Sequence, residues 1–139
     1  MDRPDPAQLA ATVENLSDDE LAKQISELGI DGVLAGIFSG MEEAFQPEPA
    51  AGVSSIIQYD IKSDEGVKQW KVEISEGVCS TSPGPADSPR LTLQLDLVDF
   101  VRLIFGQAEG PQLFMTGKLK LQGDMMFAMQ MQKFFRREF

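Results

Sequence analysis

The sequence predicts an α+β domain, with a mostly antiparallel five-stranded sheet and helices packed on one face. Three features support this class. Apolar residues recur at helical spacing up to Gln46, alternate with polar residues from Val53 onward, and return to a helical pattern after Asp124. The chain of 139 residues has the size of a single domain and can bury a core without disulfides or metal.

The N-terminal part of the chain is predicted to be helical. Residues 1–16 contain a weak helix, with a leucine and a valine four residues apart. Ser17 and Glu20 have the pattern of a capping box, since the serine oxygen can accept the Glu20 amide while the glutamate accepts the Ser17 amide. Two further helices complete the helical part at 17–46, and the proline-containing linker at 47–52 ends it.

The part from 53 to 139 is predicted to hold the sheet, a short helix and a closing helix. Strands with alternating apolar and polar residues are expected at 53–62, 67–74, 78–82 and 91–95. Their short connections favour an antiparallel meander over parallel units. Asp96 then has the position of an N-cap for a short helix that ends at Gly106.

The final stretch of the chain is the most informative. Gly-Lys-Leu-Lys-Leu-Gln-Gly at 117–123 predicts a fifth strand, with leucines on one face and lysines on the other. Asp124 is predicted to cap a helix that is apolar on nearly every side. Such a helix must be covered by other elements or must line a cavity.

This stretch resembles the closing strand and helix of sterol carrier protein type 2 domains. The resemblance rests on Gly-Lys-Leu-Lys-Leu-x-Gly-Asp-Met at 117–125, followed by Ala128-Met129 and Gln132. Supporting residues in the family's order are Trp70-Lys71-Val72, Leu91-Thr92-Leu93, Asp99-Phe100, Phe105-Gly106 and Phe114. The resemblance covers roughly 52–135 and implies an apolar tunnel between the sheet and the helices. It also implies a non-catalytic carrier that binds, and transfers, a fatty acid, an acyl chain, a sterol or a similar lipid.

The apolar excess of the chain is consistent with such a cavity. Seven methionines and nine phenylalanines occur, most of them in 100–115 and 125–139. Methionine adapts to ligands of varied shape and phenylalanine offers a broad contact surface, although composition alone favours an ordinary core. With the resemblance, the predicted lipid-binding residues are Trp70, Leu93, Leu97, Phe100, Val101, Ile104, Phe114, Met115, Met126, Met129 and Phe134.

The charge of the chain limits its partners. Twelve basic and 22 acidic side chains give a formal charge of −10 and a pI of about 4.3. This charge repels nucleic acid, which we exclude as a partner, and it repels anionic membranes at long range, so we expect at most transient membrane contact. Carriers of the family often have basic surfaces, and here basic residues concentrate near the chain end. We hypothesise an entrance side formed by Lys118, Lys120, Lys133, Arg136 and Arg137 beside Phe134, Phe135 and Phe139.

The residues that usually carry catalysis or bind metal are scarce. The chain has no histidine, which removes the common triads and imidazole ligands, and its one cysteine, Cys79, allows neither an internal disulfide nor a cysteine cluster for zinc. No phosphate-binding glycine loop or calcium loop occurs. We therefore expect no catalytic residue, no metal and no cofactor. A cytoplasmic location is expected, because no secretory signal, membrane span or peroxisomal address is evident.

Two other classes of function remain as alternatives. One is an interaction module of the same fold without cargo, whose apolar tail and third helix bind a partner protein, a partner enzyme or a second copy of the chain. The other is a small acid–base isomerase acting on a hydrophobic ketone. It would need Asp60, Asp96 or Asp99 in an apolar pocket, whereas strand alternation turns Asp60, and helical spacing turns Asp99, towards solvent.

Overall fold

The computed structural model describes residues 15–105 and 107–134. Its elements are α1 (Asp18–Leu28), α2 (Ile30–Ala44), β1 (Ser55–Ser63), β2 (Gly66–Ser75), β3 (Val78–Pro83), β4 (Leu91–Asp96), α3 (Leu97–Ile104), α4 (Gly110–Met115), β5 (Lys120–Gly123), α5 (Met125–Met131) and a 3₁₀ turn at Gln132–Phe134. These elements confirm the α+β class. The weak helix predicted within 1–16 falls almost entirely outside the described residues, and so does Gly106.

The first described helix begins as the sequence predicts. The Ser17 hydroxyl accepts the Glu20 amide at 3.2 Å, and the Glu20 carboxylate accepts the Ser17 amide at 3.4 Å, so the capping box forms. Gly29 separates α1 from α2 with a φ of +100°. Because this single glycine makes the turn, α2 begins directly after it, at Ile30.

The sheet has the strand order β3-β2-β1-β4-β5, and three of its four pairings are antiparallel. A mostly antiparallel sheet is therefore confirmed, but the simple meander is wrong. β4 pairs with β1 in parallel, with Tyr59 opposite Leu93. The loop at 84–90 carries the chain back from edge strand β3, and the Ala86 amide donates to the Gln58 side chain at 2.9 Å. This crossover explains why the polar Gln58 is buried.

An aromatic cluster joins the helices to the sheet. The Phe38 ring of α2 stacks on Trp70 of β2 at 4.6 Å between centroids and on Phe100 of α3 at 5.4 Å. It also meets Tyr59 of β1 in an edge contact at 5.4 Å. Phe38 and Phe100 are fully buried. We call Phe38, Tyr59, Trp70 and Phe100 the aromatic cluster, and it forms the centre of the core.

Candidate functional site

The closing helix α5 contributes one side to the core. Phe127 and Met131 are its buried residues, and Phe134 of the following 3₁₀ turn is buried with them. The rings of Phe127 and Phe134 lie 5.9 Å apart. The inner side of the segment from α5 to the 3₁₀ turn therefore packs as part of the protein interior, next to β4.

The other side of α5 is apolar and exposed. Met125, Met126 and Met129 have exposed fractions of 44%, 74% and 74%. Their spacing places them on one side of the helix. A group of neighbouring exposed apolar residues is a contact surface more often than isolated ones are. In the described ranges, no helix has both the length and the hydropathy to span a membrane.

Arg90 fixes the start of α5. Its guanidinium donates from Nε and Nη2 to Oδ2 of Asp124 at 3.1 and 3.0 Å, and from Nη1 to the Ser55 hydroxyl at 3.0 Å. The same group lies 4.2 Å from the centroid of the Phe127 ring. The Asp124 amide also donates to the Arg90 carbonyl at 3.0 Å. We call Ser55, Arg90, Asp124 and Phe127 the Arg90 corner.

Asp124 is the N-cap that the sequence predicts. Its Oδ1 accepts the Phe127 amide at 3.0 Å, while Oδ2 accepts from Arg90. The hydrogen bond from the Phe127 backbone, and then the one from Arg90, hold the pKa of the Asp124 carboxyl below its ordinary value. The carboxylate is thus charged at neutral pH and joins the helix start to Arg90, the residue before β4.

The far end of the segment is attached to the residue after the C-cap of α2. The Gln46 amide donates to the Phe134 carbonyl at 2.6 Å. The Gln46 side-chain nitrogen donates to the Lys133 carbonyl at 3.1 Å. Both hydrogen bonds join uncharged groups. We call Gln46, Lys133 and Phe134 the Gln46 end.

The predicted lipid-binding residues fall into two groups. Buried in the core or half-buried against it are Trp70, Leu93, Leu97, Phe100, Val101, Ile104 and Phe134. Exposed at the surface are Phe114, Met115, Met126 and Met129. On α5 the cause is helical period, because Phe127 and Met131 take the inward side. A role in lipid binding stays a prediction for both groups.

Two surface depressions are present, and the predicted lipid-binding residues contribute little to their lining. One, of about 340 Å³, includes Ser55 and Arg90, and the other, of about 310 Å³, includes Ile30 and Leu97. Leu97 is the single predicted lipid-binding residue that lines either depression. The enclosed tunnel implied by the resemblance therefore stays a prediction.

The predicted basic entrance is distributed over several elements. Burial raises the pKa of the Asp99 carboxyl on α3, and Lys118 lies close enough to oppose that rise. Lys120 of β5 pairs in register with Gln94 of β4, and Lys133 lies at the Gln46 end. The predicted residues after 134 fall outside the described ranges. Of the described lysines, Lys133 is the one on the segment that closes the core.

Asp60 lies on the polar face of the sheet. Its carboxylate accepts side-chain amides from Gln58 at 2.8 Å, Gln69 at 3.3 Å and Gln94 at 3.4 Å. This environment is polar, whereas an acid–base catalyst for a hydrophobic ketone needs an apolar one. The outward direction predicted for Asp60 is consistent with these contacts.

Asp96 and Asp99 belong to the start of α3. Asp96 is exposed and holds the N-cap position without a capping hydrogen bond from its side chain. Partial burial raises the pKa of the Asp99 carboxyl, and Lys118 opposes that shift. Among the described residues, no group of three or more histidine, cysteine or acidic side chains is arranged to hold a metal.

Cys79 has the environment of an unreactive thiol. It is buried on β3, and burial, followed by the nearby Glu42 carboxylate, raises its thiol pKa to about 12. At mildly alkaline pH we expect iodoacetamide to leave Cys79 unmodified in the folded chain and to modify it fully in guanidinium chloride, as measured by intact mass. Glutathione in the same tube controls for reagent activity. Rapid modification of the folded chain would contradict the assignment.

Comparison with known families decides the family of the chain. The model of the SCP-2 sterol transfer family matches residues 39–136. The chain belongs to this family. Oleate-induced peroxisomal protein POX18 of Candida maltosa is 32% identical over 104 residues, covering 73% of this chain and 82% of that protein. Hydroxysteroid dehydrogenase-like protein 2 of Xenopus tropicalis is 26% identical over 97 residues, which cover 69% of this chain but only 23% of that protein.

Solved SCP-2 structures share the fold. The crystal structure of sterol carrier protein 2 like 2 from Aedes aegypti aligns with a TM-score of 0.61 at 23% identity, over 76% of this chain and 94% of that one. The solution structure of the palmitated form of that protein aligns with a TM-score of 0.59 at 24% identity, over 68% of this chain and 86% of that one. The sheet and helices described above are therefore those of an SCP-2 domain.

The structure adds core residues that sequence reasoning did not select for the site. Phe38 is the centre of the aromatic cluster, and Phe127 contacts both Arg90 and Phe134. The helical spacing of α2 indicated that Phe38 faces inward, but not which residues it meets. Phe127 lies in the segment that resembles the family. It follows the predicted N-cap Asp124 by three residues, and this position could have indicated that its side chain faces inward.

Proposed function

We propose that this SCP-2 domain binds one lipid with a flexible hydrocarbon chain beneath α5 and delivers it without chemical change. The observation that carries the proposal is that α5 is apolar on both sides and has polar attachments at both of its ends. Such a helix can move outward when an attachment is released, while the sheet stays intact. The palmitated Aedes protein of the same fold supports an acyl chain as cargo. A sterol is the other lipid cargo that the proposal covers.

Burial of the hydrocarbon would supply the affinity. Each methylene removed from water contributes about 0.8 kcal/mol, so about ten methylenes contribute about 8 kcal/mol, the scale of micromolar binding before association costs. Because the interior is closely packed, side chains must move to admit the chain. Methionine suits this requirement, since its unbranched side chain changes shape easily, and Met131 lies on the inner side of α5.

The surroundings of the acidic residues support binding without catalysis. Asp60 is held by amides on the polar face, and Asp96 is exposed. A partner enzyme would supply any chemistry on the lipid. The predicted cytoplasmic location competes with the peroxisome, for which POX18 is named, and a fluorescent fusion of the full chain would decide between them.

Native mass spectrometry of the purified chain tests the proposal. We expect an adduct of lipid mass that is lost on denaturation and recovered in a solvent extract of the same sample. Fluorescence of cis-parinaric acid, a fatty acid, then measures the affinity. A clean apo mass that persists after incubation with fatty acids and sterols would contradict the proposal.

Matched variants on α5 locate the site. Met131→Phe adds bulk on the buried side and is expected to weaken parinaric acid binding about tenfold, since an overfilled interior resists a ligand. Met129→Phe makes the same change on the exposed side and should leave the affinity unchanged. Thermal melts check that both variants are folded. Equal affinities for the two would mean that the lipid does not lie beneath α5.

A protein-interaction module is the second candidate, favoured by the exposed methionines of α5. Sedimentation velocity of the chain, alone and after Met126→Ser with Met129→Ser, tests it. A dimer that the double variant converts to a monomer, together with an apo mass, would favour the module over the carrier.

A further inference from the structure

We propose that α5 opens at the Gln46 end to admit its lipid, while the Arg90 corner stays closed and acts as the hinge. The identity of the cargo rests on the function proposed above. The unequal attachment of the two ends is a feature of the fold itself and can be measured without any lipid.

The Arg90 corner is held by charge. Two nitrogens of the Arg90 guanidinium donate to the same Asp124 oxygen, at 3.1 and 3.0 Å. The guanidinium carbon also lies 4.2 Å from the centroid of the Phe127 ring. Charge-assisted hydrogen bonds are about twice as strong as neutral ones, but water screens this half-exposed pair, so the Phe127 contact and the backbone hydrogen bond from the Asp124 amide to the Arg90 carbonyl also hold the corner. Asp124 is in addition joined to β5 through Gly123, whose backbone lies directly against the Arg90 carbonyl. Movement of this end would break the ion pair and disturb the sheet.

Among the residues that the structure describes, two neutral hydrogen bonds and the ring of Phe134 hold the Gln46 end. The bonds run from the Gln46 amide and side chain to the carbonyls of Phe134 and Lys133. Neutral hydrogen bonds contribute little net stability, since water can replace both when the end moves outward. Phe134 is buried and acts as a plug, and a hydrocarbon chain that takes its place offsets the cost of exposing it.

Opening at this end gives the lipid a defined orientation. The gap forms between the residue after α2 and the end of α5, so the hydrocarbon chain enters towards Phe127 and the Arg90 corner. Lys133 is exposed at the mouth of the gap. Its ammonium group suits the carboxylate of a fatty acid, which would remain at the surface.

Two backbone amides report the two ends separately. The Gln46 amide is protected by the Phe134 carbonyl, and the Asp124 amide by the Arg90 carbonyl. In hydrogen exchange of the lipid-free chain we expect Gln46, after correction for intrinsic rates, to exchange at least about tenfold faster than Asp124. Equal rates, or faster exchange at Asp124, would overturn the proposal whether or not the chain binds lipid.

Two variants link the opening to ligand kinetics. Gln46→Ala removes the side-chain bond from both the free and the loaded state, so parinaric acid should associate and dissociate about fivefold faster with an unchanged Kd. Asp124→Asn keeps an N-cap but loses the ion pair, and it should leave both rates within about twofold of the wild type. A larger acceleration by Asp124→Asn than by Gln46→Ala would show that the hinge and the opening end are reversed. Absence of binding by the wild type would instead refute the proposed function and leave the exchange test standing.

Discussion

Replacing Phe38 by alanine is expected to lower the free energy of unfolding by about 3–5 kcal/mol. The ring is fully buried and touches Trp70, Tyr59 and Phe100, which come from two strands and a helix. Its removal therefore leaves a cavity where three elements meet, and none of them can move in without losing its own contacts. Urea denaturation followed by the fluorescence of Trp70, the single tryptophan, measures the loss.

Phe114→Ala is the matched control, because it deletes the same ring from a residue that is 48% exposed. We expect a loss below about 1 kcal/mol, since partly exposed side chains leave little cavity. If the two variants lost similar stability, the aromatic cluster would not be the centre of the core.

Local sequence signals predicted much of the fold because their physical causes are local. The Ser17–Glu20 capping box needs only residues three apart, and the Asp124 N-cap contacts Phe127. Alternation likewise predicts a strand from its own residues. In each case the interacting residues are close in the chain, so the local sequence is sufficient to predict the interaction.

The parallel pairing of β4 with β1 had no such signal. An alternating strand reads the same in a parallel or an antiparallel pair, and the direction depends on the path of the loop at 84–90. The Arg90 corner was missed for a related reason. Arg90 meets Ser55 and Asp124 across 35 and 34 residues of sequence, and nothing near Arg90 indicates either partner.

The candidate site was predicted in its segments but not in the direction of every side chain. α5 is apolar on nearly every side, so its sequence does not determine which side faces the core. The Arg90 corner sets that rotation by holding Asp124 and Phe127, and Met126 and Met129 then point outward. Long-range contacts thus determine which side of α5 faces the core, because its apolar sequence does not.

The other large effect is expected from Gly123→Ala. Gly123 has a φ of +114°, and a Cβ built there would overlap the carbonyl oxygen of Arg90. That atom belongs to the backbone, so it cannot swing aside as a side chain would. The β4–β5 pairing or the Arg90 corner must shift to admit the methyl group, and we expect a loss of about 3 kcal/mol or more in urea denaturation.

Gly84→Ala separates this overlap from backbone strain alone. Gly84 has the same φ of +114°, but its added Cβ would meet no atom within 4 Å. Strain without overlap should cost only about 1–2 kcal/mol. Because the Gly123 overlap involves the Arg90 carbonyl, which accepts the Asp124 amide, Gly123→Ala should also speed hydrogen exchange at Asp124, whereas Gly84→Ala should not. Equal losses for the two variants, with Asp124 still protected, would mean that the Arg90 corner does not depend on the close approach at Gly123.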